Sequence, residues 1–246
     1  MEKLIAELRR LYLPDPQHPS TAALEDHLHG STTLTVDLAG EAGTARAMAL
    51  DFPRAADDRH WLLLCDVANA LQQDLTLPAP AVSVNGADRF TLWLSFSPAQ
   101  PLAQLRRFRT LLQQAYCPDL GAAPDATEVA LPPCRHQASG LWAAFINPAM
   151  GAALADDLGL ELPPPVSAQA AFLQGLDSIS AEQFAQALQQ LELQAAGPAA
   201  EPAPPTAQMR QPAPAGVLLG EATLEQIVAE LHRRQIEPTL RHVIGR

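Results

Sequence analysis

The sequence predicts an α+β fold: a mainly antiparallel sheet flanked by helices, then a helical extension and a tethered C-terminal helical hairpin. Three observations predict it. The dipeptide Asn85-Gly86 stands between two β-type runs, Val82-Ser83-Val84 and Phe90-Thr91-Leu92-Trp93-Leu94-Ser95-Phe96, which is the signal of a hairpin. Hairpin strands and helical-period segments mix over residues 1–150. Beyond Asn147 the strand patterns stop, and residues 195–216 are so rich in Pro and Ala that they behave as an extended, semi-stiff tether. The expected divisions are an α+β domain at 1–150, a helical extension at 151–194, a linker at 195–216 and a helical tail at 217–246.

The elements follow from local chemistry. Residues 1–12 make an amphipathic helix, and a proline-rich turn occupies 14–19. Ser20 caps a short helix running to 29. Strands at 32–38 and 46–51 are joined around Gly40 and Gly43. A helix over 57–74 opens with acids, which suits the positive end of the helix dipole. After the hairpin come a helix over 102–116 and strands at 128–131 and 141–146. Short helices at 148–157 and 167–174 lie on either side of Pro163-Pro164-Pro165. Ser180 caps a longer one with Phe184, Leu188 and Leu191 at helical spacing.

The tail carries its own signal. Thr223-Leu224-Glu225-Gln226 is a capping-box pattern. Leu224, Ile227, Val228 and Leu231 form one apolar stripe, and Pro238 starts a second helix holding Leu240, Val243 and Ile244. Two helices this short cannot bury their stripes alone. They need a partner surface, which makes the tail the expected protein-binding element.

Composition narrows the function classes. Hydrophobic residues are 48% and charged residues 17%, which suits a folded body rather than a disordered chain. No apolar run approaches the ~20 residues of a membrane span. The charged N-terminus is not a signal peptide, so the cytoplasm is the expected compartment. The net charge of −11 opposes strong, sequence-independent nucleic-acid binding, because phosphates are neutralised by Lys and Arg. Lys3 is the single lysine, and arginines cluster at Arg106, Arg107 and Arg109 and again at Arg233, Arg234, Arg241 and Arg246. Three cysteines make no disulfide framework. Cys65 reads as a buried small hydrophobe. Cys117, Cys134 and His136 lack a Cys-x-x-Cys and a fourth ligand, so no metal site is expected from them. There is no phosphate-cradling glycine loop and no Gly-x-Ser-x-Gly.

The candidate chemistry lies between Ala45 and Phe96. A strand ends on Asp51-Phe52-Pro53, and a second strand runs beside it. Residues i and i+2 of a strand share a face, so an Asp-x-Asp tip aims two carboxylates at one divalent cation. Here Pro53 takes the second position and ligates nothing. Asp57 and Asp58 lie beyond a turn and would have to fold back to help.

The order of segments over residues 21–146 resembles the archaeo-eukaryotic primase domain in the form found in TOTE conflict systems. The resembling pieces are Leu24-Glu25-Asp26-His27-Leu28-His29-Gly30, Met48-Ala49-Leu50-Asp51-Phe52 and Ser83-Val84-Asn85-Gly86-Ala87 with Leu92-Trp93. Val129-Ala130-Leu131-Pro132-Pro133-Cys134-Arg135-His136 and Ser139-Gly140 complete them. The resemblance implies a primase-like fold. It implies an acidic pair where this chain has Asp51 and Pro53, a histidine where it has Thr91, and a third acid for which Asp119 is a loose candidate. Two catalytic groups are therefore missing.

The expectation is a catalytically degenerate, nucleic-acid-associated accessory or scaffold, in the mobile-element or defence setting that the resemblance implies. It needs no cofactor. The alternatives are an active primase-polymerase using Asp51 with Asp57, Asp58 or Asp119 and Mg²⁺ or Mn²⁺, and a pure protein-interaction adaptor. A surviving weak contact with single-stranded nucleic acid would lie on the face of Thr91 and Trp93, flanked by Arg89, Arg135 and His136. Trp93 either stacks a base or packs beneath a helix, and Arg135 offers its fork of donors to a phosphate.

Overall fold

The computed structural model describes residues 1–196 except 16, 41–42, 56–57, 119, 121–126 and 155–157. The linker and the tail, with Leu224, Ile227, Val228, Leu231, Leu240 and Val243, lie outside the described residues, as do Asp57 and Asp119.

Among the described residues, eight strands and six α-helices alternate irregularly: α1 (Glu2–Leu11), α2 (Thr21–Leu28), β1 (Thr35–Asp37), β2 (Thr44–Pro53), α3 (Arg59–Gln73), β3 (Ala81–Val84), β4 (Arg89–Pro101), α4 (Leu102–Tyr116), β5 (Glu128–Ala130), β6 (Cys134–Arg135), β7 (Trp142–Ile146), α5 (Val166–Gln174), β8 (Ile179–Ser180) and α6 (Ala181–Ala196). The main sheet runs β2-β4-β3-β7-β6 with antiparallel neighbours, and β8 adds to β4 in parallel. β1 and β5 form a separate antiparallel ribbon. The expected α+β class with an antiparallel sheet and flanking helices is what the chain adopts.

Both faces of the sheet are covered. On one, Leu4, Ile5, Leu8 and Leu11 of α1, Leu24 and Leu28 of α2, and Ala170 and Leu173 of α5 pack with Ala47, Ala81, Trp93 and Phe145. On the other, side chains of α3, α4 and α6, among them Leu64, Phe108 and Phe184, pack with Leu50, Phe90, Leu92, Leu94 and Val82. The extension predicted at 151–194 thus supplies a helix to each face, since α5 and α6 end up on opposite sides. The double covering also explains β4. Its alternation of apolar and polar residues looks half-exposed in sequence, yet Phe90 to Phe96 are buried without a break.

Most expected elements form within a few residues of their reading. Ser20 Oγ accepts from Ala23 N–H at the start of α2. Ser180 Oγ accepts from Gln183 N–H while Gln183 Oε1 accepts from Ser180 N–H, a reciprocal cap on α6. The segment read as a helix over 148–157 is a 3-10 helix, Pro148–Leu154. It lies on the indole of Trp61 so closely that Gly151 leaves no room for a Cβ. The strands β6 and β8 span two residues each, too few to show a period in the sequence. Cys65, expected to be buried, is half-buried.

Long polar side chains close the helix ends. Arg10 Nη2 donates to Leu173 O and Leu176 O at 2.9 and 3.1 Å, taking up carbonyls at the end of α5. Arg46 donates to Arg10 O near the end of α1, and Gln190 donates to Asp74 O after α3. β7 needs a similar device, because β6 pairs only with Trp142 and Ala143. Farther along, Gln169 of α5 offers its amide as a substitute strand: Oε1 accepts from Phe145 N–H at 2.9 Å and Nε2 donates to Phe145 O at 2.8 Å. Replacing it by an isosteric apolar residue strands two buried backbone groups at about 1–3 kcal/mol each. Gln169→Leu is therefore expected to lower stability by roughly 2–4 kcal/mol in urea-induced unfolding, whereas Gln174→Leu, one turn on and exposed, should change little.

Candidate functional site

The strand register brings a single row of polar side chains together. Asp51 of β2 stands opposite Thr91 of β4, which stands opposite Ser83 of β3. Side chains directly opposite one another share a sheet face. The same face carries Trp93 and Arg89 at the i±2 positions of Thr91. The row becomes drier inward: the Asp51 side chain is 41% exposed, while Thr91 is 6% and Ser83 1% exposed.

Each member is already bonded. Thr91 Oγ1 donates to Asp51 Oδ1 at 2.7 Å. Arg89 Nη1 donates to Asp51 Oδ2 at 3.1 Å. The rest of the Arg89 fork goes to Asp88, with Nε on Oδ1 at 2.9 Å and Nη2 on Oδ2 at 3.4 Å. The Asp88 carboxyl is held below the ordinary carboxylate range, first by the Arg89 hydrogen bond, against burial. Arg89 is in turn raised, first by Asp88 and then, after desolvation, by Asp51. The guanidinium is thus clamped between two carboxylates. At about 40% exposure of Arg89, the Asp51 ion pair contributes little stability, on the order of 0–1 kcal/mol. Its consequence is electrostatic occupancy of Asp51.

Arg89 is fixed by the hairpin. Asn85 Oδ1 accepts from Ala87, Asp88 and Arg89 N–H at 2.9–3.0 Å, closing a four-residue connection between β3 and β4. Gly86 sits at φ +78°, and a Cβ there would come within 3.0 Å of His136 Cβ. Pro53 is the register partner of Arg89. The i+2 position of the acidic tip therefore faces a cation rather than a second acid.

Of the two readings of Trp93, the geometry is that of a packed core residue. It is 3% exposed, its Nε1–H donates to Ser83 Oγ at 2.8 Å, and its ring lies 5.3 Å from Tyr12 and 6.0 Å from Phe145. Both the ring faces and the polar handle are consumed by the α1 side of the core, so no base reaches it in this conformation. Tyr12 shares that environment, and burial pushes its phenol far above the ordinary range.

Arg135 and His136 lie elsewhere. Arg135 pairs with Trp142 on β7, three residues from Phe145, the partner of Ser83. An odd offset places it on the opposite face by register. β6 is also four strand spacings from β2, roughly 19 Å away. Arg135 is exposed, and its Nε donates to Gly140 O at 3.3 Å. His136 keeps the parity of Cys134 and so of the polar row, but it serves the neighbouring turn. Its Nδ1 accepts from Ser139 N–H, and Ser139 Oγ donates to Gly86 O. The six predicted site residues therefore divide: Asp51, Arg89 and Thr91 meet, Trp93 is sealed behind them, Arg135 lies at the β6 edge, and His136 sits against the hairpin turn at Gly86.

Ser83 and Asp88 are the participants missed in sequence. Ser83 had a faint signal, a lone hydroxyl in the otherwise apolar run Ala81–Val84, since a buried hydroxyl requires a partner. Asp88, two residues after Gly86, carries no distinguishing signal in the sequence. Among the described residues no group of three His, Cys, Asp or Glu side chains could hold a metal ion. Asp58 has φ +54° before α3 and makes no side-chain cap. Burial pushes the Cys117 thiol up to about 11 and the Cys134 thiol up to about 12, leaving both protonated near neutrality.

No family model matches the chain, and no curated protein sequence matches it. Among solved structures, it is similar to the archaeo-eukaryotic primase domain of the cyanophage S-2L primase-polymerase. The two share 12% identity at a TM-score of 0.40, over 70% of this chain and 97% of that domain. A superposition at that level carries no argument about residues or activity, and the fold class stands on the strand order alone.

The placement of Trp93 has a measurable consequence. Trp93→Ala should cost about 3–5 kcal/mol of stability, the range for truncating a large buried aromatic, read as a lowered urea midpoint. Weak single-strand binding by the variant that remains folded should be unchanged at low salt.

Proposed function

We propose that the chain is a non-catalytic, primase-like accessory or scaffold protein, associated with nucleic acid and acting in the cytoplasm in a mobile-element or defence setting. One observation carries the non-catalytic part. Asp51, the remaining acid of the tip, is held by the Thr91 hydroxyl and the Arg89 guanidinium, with Pro53 where a second acid would stand. Two-metal phosphoryl transfer depends on carboxylates that gather divalent charge. A tethered cation at 3.1 Å repels that charge from the first acid. The primase-like part rests on the order of sequence segments.

In this reading, contact with single-stranded nucleic acid is weak and salt-sensitive, consistent with a net charge of −11. It falls to exposed Arg135 at the β6 edge rather than to Trp93. The tail, through Leu224, Ile227, Val228, Leu231, Leu240 and Val243, holds a protein partner. Sequence pattern supports that role, because the stripe needs a surface to cover it.

Primer synthesis and extension on single-stranded DNA with Mg²⁺ or Mn²⁺ is the direct test. No product above background is expected, with Asp51→Ala indistinguishable from the parent chain. Robust synthesis that disappears in Asp51→Ala would falsify this proposal and favour an active primase-polymerase.

Metal titration separates the electrostatic reason from the rest. Arg89→Gln removes a unit charge beside Asp51, a change of roughly 1 kcal/mol at the dielectric of bulk water, or about fivefold in affinity. Mn²⁺ binding followed by electron paramagnetic resonance should strengthen by about that factor and be lost again in Arg89→Gln/Asp51→Asn. Equal Mn²⁺ affinity with and without Arg89 would remove the electrostatic reason.

A further inference from the structure

The β1–β5 ribbon stops one rung short of where its strands could continue. Thr35 pairs with Ala130, so Leu34 and Leu131 are the next residues in line. His27 of α2, 1% exposed, stands between them. Its Nδ1 accepts from Leu34 N–H at 2.9 Å, and its Nε2 lies 2.7 Å from Leu131 O. A backbone N–H only donates and a carbonyl only accepts, so the network assigns the neutral tautomer with the proton on Nε2. The imidazole relays the missing rung. It also joins α2 to the ribbon, which continues to β6 through Thr33 Oγ1 donating to Arg135 O at 2.7 Å.

This arrangement tolerates only one protonation state. A doubly protonated imidazole has two donors and no acceptor. It would set Nδ1–H against Leu34 N–H in a buried site, where an unpaired donor is costly. No hydrogen bond of the main sheet passes through the ring.

We propose that His27 is a proton-operated latch: protonation releases the β1–β5 ribbon from α2 and leaves the main sheet paired. The charged side chains of the surrounding elements are Glu25 and Asp26 on its own helix, Asp37 and Glu128 on the ribbon and Arg135 on β6. The four on α2's outer turn, the ribbon and β6 other than half-buried Glu25 are exposed. Burial first, offset in part by the Leu131 carbonyl, holds His27 below the ordinary histidine range. A folded-state pKa lowered in this way means that the latch is fully closed above the unfolded value of about 6.5. Its contribution is lost as pH falls below that value, because the opened form binds the proton more tightly.

Amide hydrogen exchange of the full chain, corrected for intrinsic rates, tests the latch between about pH 8 and pH 5. The Leu34 amide should lose protection by up to roughly tenfold per pH unit below about 6.5, while β3 and β4 keep theirs. The ¹⁵N shifts of the His27 ring, followed in the same sample, should remain those of the neutral Nε2–H tautomer as pH falls through about 6.5, because burial lowers its proton affinity in the closed form. His27→Gln keeps an acceptor and a donor on one side chain but does not titrate, so its ribbon should show no such loss. Three results overturn the latch: Leu34 protection that is constant with pH, loss shared equally by β3 and β4, or a closed form whose ring is already protonated at or above about pH 6.5. If His27→Gln does not fold, the ring shifts and the Leu34 exchange of the parent chain still decide between these outcomes.

Discussion

The central strand β4 has a core on both faces, and the rest of the molecule answers to that constraint. Phe90, Leu92, Leu94 and Phe96 point to the side of α3, α4 and α6, while Thr91, Trp93 and Ser95 point to the side of α1 and α5. A polar side chain on either face then has to find a partner or bear the cost of desolvation. On the α1 side they do: Thr91 bonds Asp51, Ser95 bonds Ser178, and Ser83 next door takes the indole N–H of Trp93. A row that suggests a pocket in sequence is, once packed, a satisfied seam in an apolar layer.

That seam bears on chemistry because its Asp51 end reaches solvent. There Asp51 is exposed enough to meet a ligand, yet its partners are supplied from within the chain. The hairpin fixes Arg89 through Asn85, and Asp88 holds the other side of the guanidinium. The site is electrostatically self-contained. A ligand that wanted Asp51 would have to displace a tethered cation, and a phosphate that wanted Arg89 would compete with two carboxylates.

The scarcity of lysine has a counterpart in how arginine is spent. Arg10 and Arg46 donate to carbonyls at or near helix ends, and Arg89 is locked between acids. Arginine suits these places because its planar fork makes several fixed hydrogen bonds at once. In the cluster at 106–109, Arg107 Nε likewise has Glu192 Oε1 at 3.6 Å.

The sequence by itself determined the class of fold and most of its elements, because these depend on local periodicity, caps and turns. Ser20, Ser180, Asn85 and the alternating run from Phe90 to Phe96 act on neighbours a few residues away, so their meaning is readable in one dimension. The missing acid at Pro53 was legible for the same reason, since i and i+2 share a strand face. What only the tertiary structure decided depends on partners far apart in the chain. Whether Trp93 stacked a base or filled the core turned on Tyr12 and Phe145, and the fate of Asp51 turned on Arg89, 38 residues away. No local signal says how far Arg135 lies from Asp51, and strand order puts four spacings between β6 and β2. Periodicity specifies which side of a strand a residue occupies, while strand order and layer packing specify what lies opposite it.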